Sequence, residues 1–144
     1  METILVGVDG SECAKAALAF AAREAALRGA SLRIVCAWGT PMWVDVGVLA
    51  PGPYVTEGYR EHAEAVVRQA LARAGELAPA VPCEGQALEG HPANILLGEA
   101  QDATLLVVGC RGRGGFASLL LGSVSQHVVQ HAPCPVTVVR AAVC

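Results

Sequence analysis

The feature that most constrains this chain is a regular alternation of two segment types. Short β-branched runs without polar interruption alternate with longer Ala-rich stretches of helical period. Thr3 to Val8 (TILVGV) and Thr104 to Gly109 (TLLVVG) are the clearest runs. A strand that is apolar at successive positions buries both its faces, which a parallel sheet covered by helices on both sides allows. The segments between the runs are long enough for crossover helices, and such crossovers are right-handed. The expected fold is therefore α/β: a single doubly wound domain spanning 1–144, with a five-stranded parallel sheet in the order 3-2-1-4-5.

The remaining elements follow from punctuation. Ser11 to Arg28 reads as a helix, with Ala14, Leu18, Ala21 and Ala25 on one face. Ser11 suits its N-cap and Gly29 its end. Ser31 to Ala37 is the second strand and Tyr54 to Leu77 the second helix. Val81 to Leu88 is a third strand that Pro82 and Gly85 send to a sheet edge. His91 to Gln101 is a short helix with Pro92 in its first turn, and Pro135 to Arg140 is the last strand. Trp38 to Pro53, rich in Gly and Pro, is a long loop. The final helix is placed from Ser123 to near His131, with Ser123-Val124-Ser125-Gln126 matching a capping box.

Composition excludes several classes. With 53% apolar and 16% charged residues the chain has material for a packed core. The net charge of -3 gives no overall attraction for nucleic acid or anionic lipid. No run is long and apolar enough for a membrane span, and no basic segment precedes the first apolar run. The expected location is cytoplasmic. The six cysteines form no CxxC pair, and reduced thiols are expected. His127 and His131 lack a third ligand, so no metal is expected on them.

In an open parallel sheet a ligand sits where the winding reverses, here between the first and fourth strands. Asp9-Gly10-Ser11 lies on one side and Gly109-Cys110-Arg111-Gly112 on the other. The glycine loop can turn its N–H groups toward an anion, and a helix beginning at Ser123 adds positive partial charge. A P-loop lysine is missing, so a Walker-type NTPase is excluded. Gly112 to Ala117 satisfies a loose dinucleotide pattern but follows the wrong strand, and no GxSxG elbow exists.

Gly109-x-x-Gly112, nine residues, then Gly122-Ser123 resembles the nucleotide-binding signature of the universal stress proteins. The opening Ile4 to Ser11 and the closing Leu105 to Arg140 are similar to that family as well. The resemblance implies the ATP-binding branch, with ATP and its Mg²⁺ as cofactors. Gly7, Val8 and Asp9 would line the nucleotide, Asp9 holding ribose or assisting the metal. Ala37 would meet adenine through its backbone. Val108, Gly109, Cys110, Arg111 and Gly112 would line ribose and phosphates, although relatives often carry Ser where Cys110 stands. Gly122, Ser123, Val124 and Ser125 would hold the phosphate tail.

The resemblance further implies a homodimer through Pro135 to Arg140 and an unidentified regulatory protein partner. The function expected is a nucleotide-dependent switch. A slow ATPase and a nucleotide-independent, chaperone-like dimer are the alternatives. No catalytic residue is assigned, because no base is in place to orient a water.

Overall fold

The computed structural model describes residues 1–39, 53–111 and 121–141, with the side chains of 53–56 left aside. The elements are β1 (Thr3–Gly7), α1 (Glu12–Arg28), β2 (Ser31–Trp38), α2 (Pro53–Leu77), β3 (Cys83–Glu89), α3 (Pro92–Glu99), β4 (Leu105–Gly109), α4 (Ser123–His131) and β5 (Val136–Val139). All strand pairings are parallel, and the sheet order is β3-β2-β1-β4-β5, as expected.

Side chains of a strand alternate between faces, so β1 feeds two cores. Ile4, Val6 and Val8 pack with Ala17, Leu18 and Ala21 of α1 and with Val66 and Ala70 of α2. Leu5 packs the other way with Leu106, with Leu96 of α3 and with Val128 of α4. Ile4, Leu5 and Val6 are fully buried. Burial of such a side chain contributes roughly 1.5–3 kcal/mol, which explains why the polar-free runs were so legible.

α1 and α4 begin and end where the sequence places them, but the cap of α4 differs. Ser11 caps α1 by accepting the Ala14 N–H at 3.2 Å. Gly29 closes it at φ 65°, a left-handed conformation that glycine adopts without strain. In α4 the N-cap is Gly122, and Ser123 is the first helical residue. The capping box is therefore not formed. Ser125, within the first turn, points its hydroxyl inward and donates to the carbonyls of Cys110 at 3.0 Å and Gly122 at 3.2 Å.

Other boundaries differ slightly. The segment read as one helix from His91 to Gln101 is α3 followed by a 3₁₀ turn over Ala100–Asp102. β3 does lie at an edge. Pro82 precedes it, and its carbonyl, the one backbone group a proline can offer, accepts the Leu32 N–H at 2.8 Å.

Reading Ser31 to Ala37 as a strand did not reveal the role of Arg33 within it. Its guanidinium donates to Glu84 and Asp102, both at 2.8 Å, and lies 3.7 Å from Glu99. One side chain thereby ties β2 to β3 and to the turn before β4. The two hydrogen-bonded carboxylates raise the Arg33 pKa, Asp102 most, and the Arg33 guanidinium holds Asp102 below the usual aspartate range. Among the described residues, Cys36, Cys83, Cys110 and Cys134 are not in a disulfide. Cys13 departs from the expectation of reduced thiols: it is disulfide-bonded.

Candidate functional site

The site is assembled from the C-terminal ends of β1, β2 and β4. Val8 follows β1 and still donates its N–H to Val35 at 2.9 Å. The pairing of Gly7 with Val35 places Asp9 level with Ala37 two residues further on. The pairing of Val6 with Val107 likewise sets Val8 beside Gly109. Gly7, Val8, Asp9, Ala37, Val108 and Gly109 thus share one end of the sheet.

Asp9 shapes its own turn. Its Oδ1 accepts the Ser11 N–H at 2.9 Å, and Gly10 between them takes φ 83°. The turn delivers the chain into α1 with its first acidic residue, Glu12, in the first turn. Asp9 is only half-buried, so its carboxylate stands at the rim of the sheet end.

Gly109 is required by close approach. A Cβ there would lie 2.8 Å from the carbonyl carbon of Cys13, closer than packed atoms sit. The start of α1 therefore rests on the end of β4. Cys110 continues the ladder, donating its N–H to the Val139 carbonyl at 2.9 Å. Its own carbonyl accepts the Gly122 N–H at 2.7 Å and the Ser125 hydroxyl at 3.0 Å. These bonds use the main chain of Cys110, so a cysteine there keeps them.

Ser125 is the only buried polar side chain among the described residues, and both its bonds go inward. It is a positioning residue, which the motif alone could not reveal. Ser123 is exposed and Val124 packs against the α3–α4 core. The first helical bond of α4 runs from the Gln126 N–H to the Gly122 carbonyl at 3.0 Å. The N–H groups of the first turn thus have no helical partner, and glycine supplies no side-chain cap. The structure brings Gly109 and Cys110 together with Gly122 and Ser125. Arg111 follows directly, whereas Gly112 lies outside the described residues, as does Trp43.

A separate cavity of about 510 Å³ opens between α1 and α2, lined by Val8, Gly10, Leu18, Val66, Ala70 and Arg73 among others. It touches the site at Val8 and Gly10 but lies on the α1–α2 face, opposite α4.

An open parallel α/β sheet with polar backbone gathered at its topological switch point defines the doubly wound class of ligand-binding folds. Within that class, the universal stress protein family model matches residues 1–140. The chain belongs to the universal stress protein family. It is 42% identical to a universal stress protein of Thermus aquaticus over 96% of this chain and 98% of that one. It is 40% identical to one of Mycolicibacterium smegmatis over 95% of this chain, but spans only 45% of that relative's length. Among solved structures, UspA from Lactobacillus plantarum superposes with a TM-score of 0.82 at 26% identity, covering 96% of this chain and 97% of that one. A universal stress protein in complex with cAMP superposes with a TM-score of 0.70 at 30% identity, covering 96% of each chain.

Proposed function

We propose that the protein is an ATP-binding regulatory protein of the stress response, acting in the cytoplasm as a homodimer whose conformation follows its nucleotide. The observation that carries this reading is the start of α4. Its N-cap, Gly122, gives the first-turn N–H groups no side-chain cap beside the end of β4, where an anion would complete them. α1, by contrast, is capped by its own Ser11. Binding of cAMP by the similar structure at 30% identity supports a nucleotide as the anion.

In this reading the N–H groups of Ser123, Val124 and Ser125 hold the phosphate tail, and Ser125 anchors the turn from within. Asp9 takes ribose or the Mg²⁺ that accompanies ATP, and the backbone at Ala37 meets adenine. Gly7, Val8, Val108, Gly109, Cys110, Arg111 and Gly112 line the remainder. The dimer forms through Pro135 to Arg140, and a partner protein reads the bound state. Hydrolysis is slow or absent, because no residue is assigned as a base for water.

Calorimetry with ATP, GTP and cAMP, each with Mg²⁺, tests the assignment. Saturable binding of ATP, tighter than that of GTP, is expected. No saturable ATP binding at millimolar concentration refutes it.

A further inference from the structure

His127 and His131 stand one turn apart toward the end of α4, and their ring centroids lie 4.7 Å apart. The helix holds them there. Val124, Val128 and Ala132 form its inward stripe in the α3–α4 core. The Ala132 N–H still bonds the Val128 carbonyl at 2.8 Å, so the last turn is intact. His127 and His131 form the next stripe, on the exposed side. Their rings are tilted by 44° rather than stacked. No acidic residue lies within α4. Among the described residues neither ring has a hydrogen bond or ion pair.

This spacing suits a chelate. A metal–nitrogen bond of about 2.0–2.1 Å puts each imidazole centroid about 3.2 Å from the metal, and ligands at about 90–109° then have centroids about 4.4–5.3 Å apart. The observed 4.7 Å falls inside that range. No third His, Cys, Asp or Glu joins the pair among the described residues. A reversible site does not need one. Once the first imidazole has bound, the second is presented at high effective concentration, and water fills the remaining positions.

We propose that His127 and His131 form a bidentate, solvent-open site for a divalent cation of the Zn²⁺ class. Imidazole suits Zn²⁺, Ni²⁺ and Cu²⁺, whereas Mg²⁺ takes oxygen ligands. The C-terminal end of a helix carries negative partial charge, which favours a cation there. The bound cation bridges the last turn of α4 and braces the chain that enters β5. The site lies at the far end of α4 from Ser123, so it does not depend on the nucleotide reading.

The test titrates Zn²⁺ into the untagged, ¹⁵N-labelled full chain without nucleotide. It is run at about pH 7.5, because imidazole binds a metal in its neutral form. Long-range ¹H–¹⁵N spectra report the rings of all 4 histidines. The His127 and His131 signals should move together and saturate, while those of His62 and His91 stay in place. Mg²⁺ should move none of them. His127→Gln and His131→Gln change exposed positions, where substitutions keep the fold. Each should weaken Zn²⁺ binding at the remaining ring by roughly tenfold or more. Rings unmoved up to millimolar Zn²⁺ overturn the proposal, including the case in which cysteine thiols take up the metal. Wild-type affinity in either variant overturns it too, since one ring would then suffice.

Discussion

Two glycines in the site are held by contacts of different hardness. A Cβ at Gly109 would meet the main chain of Cys13 at 2.8 Å, which can move only with α1. A Cβ at Gly7 would meet the Leu96 Cδ1 at 2.9 Å, the far end of a flexible side chain. Gly109→Ala should therefore cost about 1–3 kcal/mol, the range for overpacking, and Gly7→Ala clearly less. Urea denaturation of both variants checks the order; equal losses would place the strain elsewhere. Asp9→Ala should weaken ATP binding by roughly 1.5–3 kcal/mol, the worth of a hydrogen bond to a charged group. Titration calorimetry measures this, and an unchanged affinity would restrict Asp9 to its turn with Ser11.

At the scale of elements, α4 allows an informative substitution. Ser123 is its first helical residue, where proline's fixed φ and missing N–H are tolerated. Gly122 before it is extended at φ -72° and ψ 170°, which a following proline permits. Ser123→Pro should keep the circular dichroism spectrum while ATP affinity falls at least several-fold. A folded variant with wild-type affinity would take Ser123 out of the phosphate site.

The Arg33 cluster joins β2, β3 and the 3₁₀ turn, and its effect depends on pH. Asp102 has a lowered pKa in the folded state, caused first by its hydrogen bond to Arg33. Its contribution to stability is therefore complete above the ordinary aspartate value of about 4 and is lost as pH falls through the lowered value. Urea midpoints measured between about pH 6 and about pH 3 should fall less steeply in Asp102→Asn than in the wild type. Salt should narrow the difference, since this carboxylate is largely exposed. Parallel curves would show that Arg33 holds Asp102 no better than water does.

For the whole molecule the open question is the β5 edge. Leu106 and Cys110 donate to the carbonyls of Pro135 and Val139. In a parallel ladder alternate residues face one neighbour, so Thr137 also faces β4 while Val136 and Val138 turn their N–H and C=O outward. The Val138 side chain itself packs against the α3–α4 core, so a charge placed there would disturb the subunit as well as any pairing. Val138→Pro is the cleaner probe, because it removes an outward N–H and leaves the β4 ladder whole. Sedimentation velocity should show a dimer for the wild type and a monomer for Val138→Pro. A wild-type monomer at tens of micromolar would remove the edge from the interface.

The sequence by itself determined the alternation of elements and the sheet order, and pointed to the switch point as the candidate site. These rest on local signals: polar-free runs such as Ile4 to Val6, the Ser11 cap, and glycines at fixed spacing before α4. Gly109, Gly122 and Ser123 were picked out as candidates for the same reason. Tertiary structure alone decided which of these groups face one another. Ser125 looked like the third residue of a capping box, yet its hydroxyl is buried on the Cys110 carbonyl. Arg33 carried no local signal of a role, yet it meets Glu84 and Asp102, 51 and 69 residues away. The nearness of Cys13 to Cys110 spans 97 residues and comes from packing at Gly109. Period and capping act within a few residues and can be read along the chain. Contacts between distant segments exist only once the sheet has set their register, so no local pattern carries them.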